Sequence, residues 1–222
     1  MTNSGSPGYG RVTGLALCLA IGLSLPGSGA SETSGITMPD AAGMDTLRAG
    51  GWILENVTSS EKGAAAGILI LMHAPVEQVW GVIVSCRYAE AFVAGLEYCE
   101  VLEDTGDYAL THQVADKGWA APQMDYTFET RRQPWQSMAF HLVSGNLKVL
   151  QGTWEFQPLP EGLLVRHYLE LRPSVPVPRW LVRRNLNKDL PDMMQCIRGL
   201  ADGSGSPERH AADLEKCPGD PP

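Results

Sequence analysis

Histidine is the side chain whose charge changes closest to neutral pH, so the histidines are the first candidates for catalysis. The candidates within the body of the chain are His73, His112, His141 and His167. No two of them have the spacing of a metal-binding pair, and the G-x-S-x-G, H-E-x-x-H and P-loop patterns are absent from the sequence. The sequence therefore predicts no metal and no cofactor.

His167 is the strongest of these candidates. It shares one face of a predicted strand with Val165, Leu169 and Leu171, the apolar face that should point towards the interior. There it could bind a carbonyl or hydroxyl group of a ligand or move a proton, or it could be a histidine at the edge of the core with a backbone or tyrosine partner. His112 falls on one face with Leu110 and Val114 and is a weaker candidate.

Whether the cysteines form disulfides depends on the compartment in which the protein resides, and the N-terminus of the sequence indicates that compartment. Residues 1–30 contain one charged residue, Arg11, then an apolar run, then Ser28 and Ala30 at the positions that a signal peptidase recognises. This order predicts a signal peptide over 1–30, cleavage near Ala30-Ser31 and a secreted or periplasmic protein. The alternative is a flexible tail with some apolar residues.

Export favours disulfides over metal thiolates, and no C-x-x-C spacing occurs. We predict a bridge between Cys86 and Cys99, and by elimination a weaker one between Cys196 and Cys217. The alternative is four free thiols.

Composition limits the function classes. The formal net charge is −8, and −9 after loss of Arg11 with residues 1–30, so nucleic acid is excluded as a partner. The length suits one domain. We predict a flexible linker over 31–49, a folded body over 50–201, a disordered tail over 202–222, and a monomer.

The order of predicted elements gives the fold class. A buried strand (66–75) is followed by helices over 75–85 and 88–93, and a long amphipathic helix covers 178–200. Six alternating strands lie between them, over 98–103, 108–116, 124–131, 137–143, 148–157 and 163–172. We predict an α+β fold in which a curved, seven-stranded antiparallel sheet wraps around the C-terminal helix. Such a sheet cannot contact one helix along its whole surface, so an apolar cavity should remain.

Three segments make the chain resemble the START/SRPBCC superfamily (the helix-grip fold), in its polyketide cyclase/coenzyme Q-binding branch. They are "HAPVEQVWGVIVSCRYAEAFVAGLEYCEVLE" (73–103), "SGNLKVLQGTWEFQPL" (144–159) and "PVPRWLVRRNLNKDLPDMM" (176–194). The resemblance implies an enclosed hydrophobic cavity for lipids, sterols, isoprenoid quinones or polyketides. It also implies a binding or carrier role more often than catalysis.

The inward faces of the predicted strands and of the last helix supply the residues expected to line this cavity. They are Met124, Tyr126, Phe128, Leu150, Trp154, Phe156, Val165, His167, Leu169, Leu186, Leu190 and Met193, with Trp119 as a lid aromatic. Gly152, without a side chain, should leave room for a ligand on this face. Plain core packing is the alternative for each of them.

The start of the last helix breaks a local rule. Arg179, Arg183 and Arg184 occupy the first two turns, where the helix dipole favours acidic residues. They are either a solvated face or a site of transient contact with an anionic head group or membrane surface.

Three functions remain open. The first is an exported protein that binds or transfers a small apolar ligand. The second is a cyclase or dehydratase-type enzyme that uses His167 as acid or base on a polyketide-like substrate. The third is an interaction protein whose interior is filled by side chains.

Overall fold

The computed structural model describes residues 35–57, 63–117 and 123–203. The elements are α1 (Ala41–Arg48), β1 (Trp52–Glu55), β2 (Ala64–Met72), α2 (Val76–Ile83), α3 (Cys86–Phe92), β3 (Leu96–Asp104), β4 (Tyr108–Ala115), β5 (Met124–Gln133), β6 (Ser137–Gly145), β7 (Leu147–Leu159), β8 (Gly162–Pro173) and α4 (Arg179–Asp202). One antiparallel sheet has the strand order β1-β2-β8-β7-β6-β5-β4-β3. The predicted α+β fold with a C-terminal helix across an antiparallel sheet is confirmed, with eight strands in place of seven.

Strand β2 has apolar residues on both faces because helices cover both sides of the sheet there. Ala66, Ile68 and Ile70 belong to the core cluster shared with α4, whereas Leu69 and Leu71 belong to a second cluster on the opposite face. All nine residues of β2 are buried. A continuous apolar run is the pattern expected for a strand covered on both faces.

Helix α4 closes the inner face of the sheet. Its buried side chains include Val182, Leu186, Leu190, Met194 and Ile197, which recur every three or four residues on one side of the helix. Pro178 precedes the helix, and Pro191 lies inside it and is buried. The helix packs against β2, α2 and α3.

The prediction of a flexible linker over 31–49 is wrong for residues 41–48, which form α1. The carboxylate of Asp40 accepts a hydrogen bond from the Gly43 N–H at 2.8 Å, which caps the helix. Met44 and Leu47 are buried against the outer face of β2 and β8. Strand β1, which follows directly, pairs with β2 and accounts for the eighth strand.

The predicted bridge between Cys86 and Cys99 is present and joins the start of α3 to β3, with Cα atoms 5.3 Å apart. The second predicted bridge depends on Cys217, which lies outside the described residues, as do the predicted signal peptide and most of the predicted tail. No helix among the described residues is long and apolar enough to cross a membrane.

Candidate functional site

Three cavities lie end to end between the sheet and α4. The inner cavity, beside α3, has a volume of about 190 Å³, the middle cavity about 120 Å³ and the outer cavity, beside the first half of α4, about 170 Å³. The inner and middle cavities share Phe92, Val93, Tyr126, Leu150, Leu169 and Met193 as wall residues. The middle and outer cavities share Lys117, Met124, Leu147, Leu171, Leu186 and Asp189.

The walls of these cavities are mostly apolar. Helix α3 contributes Ala89 and Phe92 to the inner cavity, α4 contributes Met193, and the sheet contributes Met138 and Phe140. An apolar cavity of about 150 Å³ is already large enough to admit a benzene molecule. The inner cavity alone can therefore accept a small hydrocarbon group.

A polar strip on β4 and β5 interrupts the apolar wall of the inner cavity. Thr111, Gln113 and Thr130 are buried there. The Tyr126 hydroxyl donates a hydrogen bond to Gln113 Oε1 at 2.9 Å. Burial raises the pKa of Tyr126 to about 12, so its hydroxyl stays protonated at neutral pH.

Arg132 ends the polar strip. Its side chain is only 8% exposed, and Nη1 donates to both carboxylate oxygens of Asp104 at 2.9 Å. The Gly106 N–H, and after it the Arg132 guanidinium, hold the pKa of Asp104 below its ordinary value. The Nε atom of Arg132 is buried and has no hydrogen-bond partner among the described residues. Arg132 thus has one unused donor, which is shielded from the cavity.

His167 lies in the wall of the same cavity and supplies an acceptor. Its ring stacks on Trp154 with centroids 3.8 Å apart, and Nδ1 lies 3.0 Å from the Thr153 carbonyl oxygen. A carbonyl can only accept, so Nδ1 carries the proton and Nε2 presents a lone pair. Burial is the main cause that lowers the pKa of His167 to about 3. The imidazole is therefore neutral at physiological pH.

The register of the sheet separates these two groups. Arg132 pairs with Met138, Met138 with Trp154, and Trp154 with His167, so the four residues form one row across β5, β6, β7 and β8. Neighbouring strands are about 4.8 Å apart, which places the Cα atoms of Arg132 and His167 about 14 Å from each other. A ligand that meets both must span the cavity.

Ten of the residues predicted to bind a ligand line one or more of the three cavities. They are Met124, Tyr126, Phe128, Leu150, Trp154, His167, Leu169, Leu186, Leu190 and Met193. Phe156 and Val165 are instead buried in the core cluster, where Phe156 packs on Trp80 with ring centroids 5.5 Å apart. Trp119 lies outside the described residues.

His112 does not point inwards as its apolar neighbours suggested. The inward residues of β4 are Ala109, Thr111, Gln113 and Ala115, which are buried, whereas His112 contacts Asp125 at 2.9 Å on the outer face. His141 is also on the outer face, 56% exposed and 3.3 Å from Glu129. Of these three histidines, only His167 lines the cavity.

Gly152 makes room for a side chain of the protein rather than for a ligand. A Cβ atom at this position would lie 2.5 Å from Cζ of Phe140 and 2.2 Å from the Tyr168 carbonyl oxygen. The ring of Phe140, on the neighbouring strand, occupies the space above the glycine. Phe140 itself lines the inner cavity.

The sequence did not indicate the polar strip. The available signal was the alternation of polar residues on two paired strands, at Thr111, Gln113, Thr130 and Arg132. It was missed because the apolar Leu110 and Val114 suggested that the other face of β4 points inward. Within the part of the chain that the structure describes, no group of three or more His, Cys, Asp or Glu side chains could hold a metal ion.

Comparison with known proteins identifies the family. The model of the family described as polyketide cyclase/dehydrase and lipid transport matches residues 72–198, more than half of the chain. No curated protein matches the sequence.

Solved structures share the fold at low sequence identity. A STAR-related lipid transfer protein from Xanthomonas axonopodis has a TM-score of 0.56 at 12% identity, over 68% of this chain and 98% of its own. Human STARD10 has a TM-score of 0.54 at 12% identity, over 77% and 83%. The Zhui aromatase/cyclase from Streptomyces sp. R1128 has a TM-score of 0.51 at 17% identity, over 62% and 93%. At these identities the likeness concerns the fold alone.

Proposed function

The chain belongs to the polyketide cyclase/dehydrase and lipid transport family, and on this basis we propose that it is an exported carrier of one apolar ligand. The ligand class is a lipid, sterol, isoprenoid quinone or similar molecule. The observation that carries the proposal is the series of three apolar-walled cavities between the sheet and α4. Affinity would come mainly from apolar surface removed from water, at about 25 cal/mol per Å².

Two polar groups would orient the ligand in the inner cavity. Arg132 Nε is a donor without a partner among the described residues, and the neutral His167 presents Nε2 as an acceptor. A ligand carbonyl would meet the first group after the Arg132 side chain rotates to expose Nε, and a ligand hydroxyl would meet the second. Few, widely separated polar contacts in an apolar cavity are typical of sites for small apolar molecules.

A cyclase or dehydratase-type enzyme is the second candidate, and the position of His167 in the cavity wall favours it. A general acid or base works best when its pKa is close to the ambient pH. Burial, and to a smaller extent the positive charge of Arg166, keep His167 neutral by lowering its pKa to about 3, although the hydrogen bond to Thr153 acts in the opposite direction. A neutral imidazole suits a hydrogen-bond acceptor better than a proton carrier. We therefore favour binding over catalysis.

Native mass spectrometry of the full chain, purified from cell envelopes, tests the carrier proposal. We expect a bound adduct of lipid mass that lipidomic analysis identifies. Ala89→Met fills part of the inner cavity and should reduce the adduct, whereas Ala139→Met on the exposed outer face should not. Protein that carries no adduct and binds no apolar probe would contradict the proposal. Turnover of a polyketide-like substrate that His167→Ala abolishes, with binding retained, would support the enzyme instead.

The exported location is part of the proposal and is supported by the disulfide between Cys86 and Cys99. We expect the protein to accumulate in the periplasm or the medium when the full sequence is expressed in a bacterium. N-terminal sequencing of that material should give Ser31 as the first residue. Full-length protein retained in the cytosol would contradict export.

Transient contact with an anionic membrane surface is the remaining part of the proposal. Trp180 is 66% exposed and Val175 45% exposed, next to Arg183 and Arg184 at the start of α4. Aromatic and basic residues together favour the interface of an anionic bilayer. Arg183→Ala combined with Arg184→Ala should weaken binding to liposomes that contain anionic lipids; unchanged binding would contradict the contact.

A further inference from the structure

A fourth cavity, at the N-terminal end of α4, differs from the other three in its charge. Its volume is about 240 Å³, and three basic side chains line it: Lys148, Arg172 and Arg179. The rest of the wall is Gly63, Ala64, Val182 and the segment 171–177 that leads from β8 to α4. No carboxylate lines it among the described residues. We call it the cationic pocket.

Arg172 is one of the residues that line this pocket. Its Nε atom is buried without a hydrogen-bond partner in the described parts of the chain. The nearby carboxylate of Glu170 is fully buried and already accepts hydrogen bonds from Gly63 N, Gln151 Nε2 and Tyr168 Oη, at 3.3, 3.1 and 3.0 Å. Glu170 therefore has partners of its own, and no carboxylate among the described residues lines the pocket beside Arg172.

The end of α4 adds to the positive potential. This 24-residue helix begins after Pro178 with no side-chain cap and no acidic residue in its first turn. Arg179, its first residue, donates from Nε to the Gly63 carbonyl oxygen at 3.1 Å and so lies against the pocket wall. The free N–H groups and the dipole of a helix favour an anion at this end. A bound anion would supply the negative charge that the first turn lacks.

The cationic pocket continues into the apolar cavities. It shares Leu171, Pro173, Ser174, Val175, Val177 and Val182 with the outer cavity, which adjoins the middle cavity, and the middle cavity adjoins the inner one. Along α4 the wall residues run from Arg179 to Met193, about 21 Å at 1.5 Å per residue. A charged end and a long apolar body therefore follow one another along the helix.

We propose that the cationic pocket binds the anionic head group, a carboxylate or phosphate, of an amphiphile. The apolar chain of that amphiphile lies in the outer and middle cavities and reaches the inner cavity. This inference rests on the proposed carrier function and narrows the ligand class to anionic amphiphiles.

Competition binding with the delipidated full chain and a fluorescent apolar probe tests the inference. The competitors are oleate, oleoyl lysophosphatidate, the neutral oleyl alcohol and inorganic phosphate. We expect one of the two anionic amphiphiles, or both, to bind about ten- to a hundredfold more tightly than the alcohol, the range for charge-assisted hydrogen bonds. This preference should decrease as the salt concentration rises.

Variants locate the preference in the pocket. Arg172→Gln and Lys148→Gln should each reduce the preference for an anion about tenfold, with the affinity for oleyl alcohol retained as evidence of folding. Arg131→Gln removes an arginine that is 67% exposed and outside every cavity described, so it should leave all affinities unchanged.

Three outcomes would overturn the inference. If oleate, lysophosphatidate and oleyl alcohol bind equally, or if the two pocket variants change nothing, the head-group site fails while the carrier proposal stands. If inorganic phosphate alone binds as tightly as lysophosphatidate, the pocket is a site for free anions. If none of the three chain compounds binds, both the inference and the carrier proposal fail.

Discussion

At the scale of single residues, His167 shows how its surroundings determine a role that its type leaves open. The same imidazole in water would change its charge near pH 6.5. Here the ring is stacked on Trp154, donates from Nδ1 to Thr153 O and is 3% exposed. The strand pattern places the side chain on the inner face, but its neutral state depends on neighbours that the sequence does not specify.

The buried neutral state of His167 has a cost at low pH. Its pKa is about 3 in the folded protein and about 6.5 when unfolded, so between these values only the unfolded chain binds the proton. As the pH is lowered through this window, the free energy of unfolding should therefore decrease, by up to about 1.4 kcal/mol per pH unit.

Urea denaturation at pH 7 and pH 4.5 measures this loss. In His167→Phe, which keeps an aromatic ring but cannot titrate, the loss should be smaller than in the wild type by about 2–3 kcal/mol. His141→Gln is the control, because that side chain is 56% exposed and outside the cavity. Equal losses in the wild type and His167→Phe would show that His167 is accessible to protons in the folded state.

Gly152 is the second residue whose role depends on its neighbours. Gly152→Ala places a Cβ atom 2.2 Å from the Tyr168 carbonyl oxygen and against the ring of Phe140. We expect the β7–β8 pairing to shift and the free energy of unfolding to fall by about 1–3 kcal/mol. Gly199→Ala has open space in α4 and should stabilise the protein by up to about 1 kcal/mol. Thermal or urea denaturation of both variants checks the contrast; a neutral Gly152→Ala would contradict the close packing of Phe140.

At the scale of elements, the regular patterns of the sequence predicted most of the fold. The apolar run of β2 and the three- and four-residue spacing in α4 report burial directly. The inward face of strand β4 was predicted wrongly. Its inward residues include the polar Thr111 and Gln113, whereas the apolar Leu110 and Val114 lie on the other face. Polar residues face inward where the wall of a site has to carry polar groups. The wrong prediction for β4 therefore falls at the candidate site.

Helix α1 was missed for a different reason. Its segment is short and rich in Gly, Ala and Thr, and only Met44 and Leu47 form its apolar side. A short helix of this composition is not stable alone and depends on tertiary contacts, here with the outer face of β2 and β8. Such contacts between distant parts of the chain have no local signature.

The packing of α1 gives a direct test of whether this element is part of the folded domain. Leu47 is 1% exposed, so Leu47→Ala should lower the free energy of unfolding by about 2–5 kcal/mol. Asp45→Ala changes a side chain of the same helix that is 77% exposed, and its effect should stay within about 0.5 kcal/mol. Urea denaturation measures both, and equal effects would mean that the helix contributes little to the fold.

At the scale of the whole molecule, the interior is divided between a packed core, which stabilises the fold, and the cavities, where packing contacts are missing. One half of α4 packs tightly against β2, with Met194 and Ile197 fully buried, while the other half borders the outer and middle cavities. The seven-residue helix α3 borders the inner cavity and has little core of its own. The disulfide between Cys86 and Cys99 adds a covalent link between α3 and β3, of the kind that persists in oxidising compartments.

The contribution of this bridge can be separated from that of any other cysteine. Closing a loop with a sequence separation of 13 should stabilise the protein by about 3 kcal/mol, so Cys86→Ser combined with Cys99→Ser should lose about that much. Dithiothreitol should then destabilise the wild type by about 3 kcal/mol more than it destabilises the double variant. Because both cysteines border the inner cavity, the double variant should also bind an apolar probe less tightly. If the reductant lowered the unfolding free energy of both proteins equally, α3 would be held by its packing alone, and export would not be needed for a closed cavity.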